Sequence, residues 1–100
     1  MVRLTVLYGH PTDPQAFLNH YENTHVPLAQ AIPDMTRFTW GKCLPGLSGE
    51  DPPYFLTAEL EWKSPEAMAA AMTSEQGGAA GGDVANFATG GATMVVSEGH

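Results

Sequence analysis

The chain has one cysteine, four fixed positive charges and no long apolar run. Each shortage excludes something. A lone thiol, Cys43, cannot form an intrachain disulfide, and it fits a reducing compartment. It has no basic sequence neighbour except Lys42, so nothing nearby activates it as a nucleophile. Arg3, Arg37, Lys42 and Lys63 stand against 11 Asp and Glu, a formal net charge of −7. Phosphate backbones are bound by clustered Lys and Arg, so nucleic acid is not an expected partner. An anionic membrane surface is disfavoured for the same reason. The acidic residues are scattered, so no acidic tail is implied. No stretch approaches the roughly 20 apolar residues of a membrane span. The segment from Met1 to Tyr8 is too short and too regular for a signal peptide. A cytoplasmic protein is the expectation.

Patterns for a metal or a nucleotide are missing too. His20 and His25 are five residues apart and do not share a face of a regular α-helix. His10 falls in a loop and His100 at the terminus. Gly77, Gly78, Gly81 and Gly82 lack the spacing and the preceding strand of a phosphate-binding loop. No metal and no organic cofactor is expected.

What is present is a globular composition, 43% hydrophobic over 100 residues, which fits one domain, 1–100. A chain this short buries its core incompletely, so association would help it. The most informative stretch runs from Asp13 to Ile32. Asp13 can cap a helix and Pro14 suits its first position. Phe17, Tyr21, Thr24, His25, Leu28 and Ile32 recur at spacings of three and four and share one face. Gln15, Asn19, Glu22, Asn23 and Gln30 fall mostly opposite, and His20 belongs with them as an exposed residue. His25 therefore sits in the line of core residues, and Pro27 should kink the last turn beside it. An inward imidazole is either a structural residue tied to a backbone carbonyl or a group with chemistry.

The rest of the chain alternates clearly. Val2 to Tyr8 reads as a strand with no strongly polar face, as a covered central strand would. Met35 to Leu44 and Tyr54 to Trp62 read as a long hairpin around a Gly- and Pro-rich loop. Ser64 caps a helix that Pro65 opens, with Ala67, Met68, Ala71 and Met72 on its buried side. Residues 73–82 are ambiguous: Ser74 could cap a short helix, but each of the four glycines weakens it by about 1 kcal/mol relative to Ala. Asn86 and Phe87 then follow a turn before a last strand, Ala92 to Ser97. The order strand, helix, strand, strand, helix, strand predicts an α+β, ferredoxin-like βαββαβ protomer. Its four-stranded antiparallel sheet carries both helices on one face. The other face calls for a second subunit packed sheet to sheet.

The strand Leu4-Thr5-Val6-Leu7-Tyr8, the helix pattern Phe17-x-x-x-Tyr21-x-x-x-His25-Val26-Pro27-Leu28 and Tyr54 resemble the EthD-like family (ethyl tert-butyl ether degradation protein D) of the dimeric α+β barrel superfamily. The segment Asp83 to Ala88 and the strand Met94-Val95-Val96 extend the resemblance over nearly the whole chain. It implies a homodimer of ferredoxin-like protomers with a pocket between each sheet and its helices or loops. Founding members accompany cytochrome P450 systems that degrade ethers. Other members of the superfamily are cofactor-free monooxygenases, isomerases, polyketide cyclases and haem-degrading enzymes, and fold does not decide among these.

Two readings follow. In the first, a small apolar or aromatic molecule binds near His25, which acts as a general base or polarises a carbonyl, with Tyr21 one turn away. Asn86, Phe87, Trp40, Tyr54 and Trp62 are the candidate ligand-binding residues; each also has a plain role in core, loop or interface packing. In the second, the protein is a non-catalytic accessory or carrier that supports an oxygenase system.

Overall fold

The computed structural model describes residues 1–99; His100 lies outside the described residues. Strand β1, Val2–Tyr8, is followed by a long helical segment. That segment comprises α1 (Pro14–His20), a π-helical turn (Tyr21–His25) and α2 (Val26–Gln30). The hairpin β2 (Arg37–Lys42) and β3 (Leu56–Trp62) comes next. Helices α3 (Pro65–Thr73) and α4 (Glu75–Phe87) then lead to β4 (Ala92–Glu98). All pairings are antiparallel and the sheet order is β2-β3-β1-β4. This is the expected ferredoxin-like arrangement, with slightly shorter β2 and β3.

One sheet face carries the core. Val2, Leu4, Val6 and Tyr8 of β1 lie opposite Trp62, Leu60, Ala58 and Leu56 of β3, and all eight are buried. The helices and the turn after α2 cover this face through Phe17, Tyr21, Ala29, Ile32, Ala71, Ala80 and Phe87. The other face is more polar than the alternation suggests. Arg3 pairs with Glu61 at 2.8 Å, and Thr5, Thr39, Thr57 and Thr93 share that face with Leu7 and Val95 as its aliphatic members. Strand β4 is an edge strand that stays exposed along its length, Met94 at 53% and Val96 at 56%.

Two departures from expectation shape the site. First, the helix after β1 is not a regular α-helix. The Val26 N–H bonds the carbonyl of Tyr21, five residues back, where an α-helix bonds four back. The cause lies just ahead: in a regular helix the Pro27 ring would press on the carbonyl of Asn23, and a wider turn relieves that clash. The wider turn also resets the buried face. Phe17, Tyr21, His25 and Ala29 are buried at a spacing of four, while Thr24 is exposed.

Second, α4 runs straight through the glycines. Ser74 caps it, its hydroxyl accepting from the Gly77 N–H at 3.1 Å. Tertiary packing overrides the weak propensity, because Gly77, Ala80, Asp83 and Phe87 form a buried stripe at spacings of three and four. Gly77 is required: a Cβ there would lie 2.3 Å from the Ala71 carbonyl oxygen, where α3 turns into α4. Asn86 and Phe87 therefore occupy the last turn of a helix and do not follow a turn.

Candidate functional site

The π-helical turn and α4 meet at one carboxylate. Asp83 projects from the buried stripe of α4 and is only 6% exposed. His25 Nδ1 lies 3.0 Å from Asp83 Oδ2. His20 Nε2 lies 2.8 Å from Oδ1 and 3.0 Å from Oδ2. Asn86 Nδ2 donates to Oδ1 at 3.0 Å. His20 is thus half-buried and bonded, not exposed as the polar side of a regular helix requires. Residues five apart on an α-helix point about 140° away from each other. The π-helical turn brings both imidazoles onto one acceptor.

Electrostatics fix the protonation of this group. Burial alone would raise the Asp83 pKa, but donors from Asn86, His20 and His25, with the charge of His20, hold it below the usual carboxylate value. An ionised carboxylate only accepts, so the facing ring nitrogens, His25 Nδ1 and His20 Nε2, carry hydrogen. The Nε2 lone pair of His25 is then left free. Burial pushes the His25 pKa down, and His20 pushes it further, against the raising effects of the Asp83 hydrogen bond and charge. The imidazole is neutral near pH 7 and available as a base.

His25 and Tyr21 line a cavity between helices and sheet, about 40 Å³ in volume. Its other walls include Leu4, Val6, Phe38, Leu60, Met72 and Met94. No Asp, Glu, Lys or Arg lines it. Tyr21 is fully buried, and its hydroxyl has no hydrogen-bond partner among the described residues. Burial pushes the pKa of that hydroxyl up, so it stays a donor. A buried orphan hydroxyl costs about 1–3 kcal/mol, and in native proteins it calls for an explanation.

The remaining candidates separate. Phe87 is buried, with its ring centroid 4.8 Å from that of His25. Asn86 acts on Asp83 and not on loop backbone. Asn86, Phe87 and His20 line a second, outer cleft of about 270 Å³ with Thr12, Asp13, Ala16, Phe17 and Thr89. Trp40 packs on Tyr21 at 5.0 Å between centroids and is 37% exposed. Tyr54 is half-buried in the loop before β3 and lines neither cavity. Trp62 is fully buried under the helices, donates its indole N–H to the Pro33 carbonyl at 3.1 Å, and lines neither cavity.

Asp83 is the residue that sequence reasoning missed. Its signal was present: it continues the Gly77, Ala80, Phe87 stripe, so a helix drawn through the glycines places a carboxylate in an apolar face. A buried carboxylate has to be paired.

Comparison with known proteins bears on the whole chain. The EthD domain model matches residues 9–91. An uncharacterized 11.0 kDa protein in the thcB-thcC intergenic region of Rhodococcus erythropolis is 45% identical over 98 residues, covering 98% of this chain and 94% of its own. The crystal structure of an ethyl tert-butyl ether d (EthD) family protein from Bacillus halodurans superposes with a TM-score of 0.93 at 34% identity, over 100% of this chain and 99% of that one. A dimeric ferredoxin-like protein of unknown function from Thermobifida fusca matches in fold, with a TM-score of 0.73 at 18% identity over 96% of this chain and 88% of that one. The sheet order, the helix bearing Tyr21 and His25 and these relatives lead to one assignment: the chain belongs to the EthD family.

Proposed function

We propose that the protein binds a small, uncharged, apolar or aromatic molecule between helices and sheet and moves one of its protons with His25. The observation that carries this reading is a buried imidazole, bonded through Nδ1 to Asp83, that lines the same apolar cavity as Tyr21, whose hydroxyl has no hydrogen-bond partner among the described residues. An acceptor and a donor on one cavity suit a compound with an acidic C–H or O–H beside a carbonyl. The bond to hydrogen breaks, and the proton goes to His25 Nε2. The electron pair moves onto the carbonyl oxygen, where the Tyr21 O–H donates to it. Return of the proton to another atom of the same molecule completes an isomerisation. No metal, redox partner or organic cofactor enters this step. Asp83 keeps the imidazole in the Nδ1–H tautomer and stabilises the imidazolium that forms. Phe87 and Trp40 fill the space around the reacting pair.

Size limits the ligand in the closed protomer. About 40 Å³ holds a few waters, well under the cavity that takes up a benzene ring. Entry of a ring therefore needs Met72, Met94 and Phe38 to swing aside. The two methionines are suited to this by their unbranched, rotatable chains. A homodimer fits the exposed β4 edge and the uncovered sheet face, and the Thermobifida fusca relative is described as dimeric. The second reading is a non-catalytic accessory or carrier for an oxygenase system, which the neutral, uncharged lining of the cavity also suits. In that case the cavity opens for binding and returns the ligand unchanged.

The test is proton exchange in D2O with a panel of uncharged cyclic ketones, 2-tetralone among them, followed by NMR. Exchange by the wild type that is lost in His25→Ala supports catalysis. Equal exchange by both sinks it. Binding without exchange leaves the accessory reading standing.

A further inference from the structure

His20 and His25 compete for one carboxylate from opposite sides of a wall. His25 lines the inner cavity, and His20, with a side chain 29% exposed, lines the outer cleft. Asp83 between them is the acceptor for both rings, and Asn86 holds its Oδ1. The other titratable groups around the carboxylate are few. On β1, Tyr8 is buried, and burial and Asp83 push its pKa up, so it stays neutral. On the π-helical turn, Tyr21 also stays neutral. Asp13 lines the outer cleft beside His20, with its carboxylate accepting from the Ala16 N–H at 3.1 Å. A single buried negative charge thus serves two imidazoles.

We propose that His20 is a positioning residue that sets the basicity of His25: it holds Asp83 from the cleft side and, once protonated, draws the carboxylate's charge away from the cavity side. One carboxylate neutralises one imidazolium. A proton on His20 therefore opposes a proton on His25, both by direct repulsion and by occupying Asp83. The base in a closed cavity is thereby governed by a residue that water reaches through a different opening. The mechanistic value of this rests on the reading of His25 as the base, but the antagonism itself is measured without turnover.

The experiment follows the His20 and His25 ring nitrogens by NMR as pH is lowered, in the wild type and in His20→Gln. Glutamine can still donate to Asp83 but cannot be charged. We expect coupled, two-step titration in the wild type. In His20→Gln we expect a single His25 midpoint raised by about one pH unit, a tenfold gain in proton affinity. Asp83→Asn keeps an acceptor oxygen but removes the shared charge, so it should lower both midpoints and leave only the direct repulsion between the two rings, with the backbone amide spectrum reporting that each variant is folded. A His25 midpoint that stays in place or falls in His20→Gln overturns the proposal. If the midpoint rises while His25→Ala loses no ketone exchange, the coupling stands and the catalytic reading fails. If exchange depends on His25 but the midpoint does not move, the reverse holds.

Discussion

The indole of Trp62 donates to the carbonyl of Pro33, joining the last residue of β3 to the turn that ends the first helical segment. The link spans 29 residues of sequence, and neither Trp62 nor Pro33 lines a cavity. It holds the far end of that segment against the sheet while the π-helical turn carries the site.

Trp62→Ala should therefore cost about 3–5 kcal/mol, the usual range for deleting a buried large aromatic. Urea unfolding measures this. The NMR shifts of His20 and His25 in the folded fraction should be unchanged. A loss under about 1 kcal/mol would mean that the surrounding core collapses to fill the space.

Tyr21→Phe should do the opposite. It removes a buried hydroxyl that has no partner among the described residues and leaves the aromatic cluster with Tyr8, Phe17 and Phe87 in place. We expect stability to hold or to rise by about 1 kcal/mol, together with weaker binding of a carbonyl ligand. A clear destabilisation would show that the hydroxyl has a structural partner, such as ordered water, and would count against its role toward a ligand.

Acid should weaken the fold in two stages with the same sign. Burial lowers the folded pKa of His25 below its ordinary 6.5, so charging it costs more in the folded chain than in the unfolded one. Stability should start to fall as pH drops through about 6.5. Asp83 is held below its ordinary 3.8, so its contribution is present above that value and is lost as pH falls further, through the folded pKa. Urea midpoints across this range test the sign. In Asp83→Asn the lower stage should shrink. A wild-type midpoint that rises on acidification would reverse the argument.

The glycines of α4 divide by what surrounds them. Gly77→Ala places a Cβ against the Ala71 and Met72 backbone and should destabilise the protein. Gly78 and Gly82 have open space around a Cβ, so Gly78→Ala and Gly82→Ala should each stabilise the helix by up to about 1 kcal/mol. Thermal unfolding decides. Equal losses at all three positions would mean that the open positions are covered in the assembled protein.

Much of this architecture was legible in the chain. Strand alternation in Val2–Tyr8 and Leu56–Trp62, the Asp13 and Ser64 caps and the element order were enough for the fold. Tyr21 and His25 were legible as inward residues of one helix face. Two things were not. The 3.6-residue period hid the meeting of His20 and His25, because a π-helical turn leaves no local composition signature beyond Pro27. Helix propensity hid Asp83, because four glycines argue against the helix that packing imposes. Both errors fall on the same cluster, where local preference and tertiary demand disagree.

The π-helical turn also bears on how this site tolerates changes in chain length. It holds one residue more than a regular helix would use to cover the same distance. Deleting a single residue between Tyr21 and His25 would let the segment relax to an ordinary α-helix with the strands still in register. It would also leave His20 and His25 four residues apart, about 40° from each other around a regular α-helix, so both imidazoles would still face Asp83. A homologue shorter by one residue here would keep the architecture and the paired histidines, and would bear instead the Pro27 clash that the wider turn relieves.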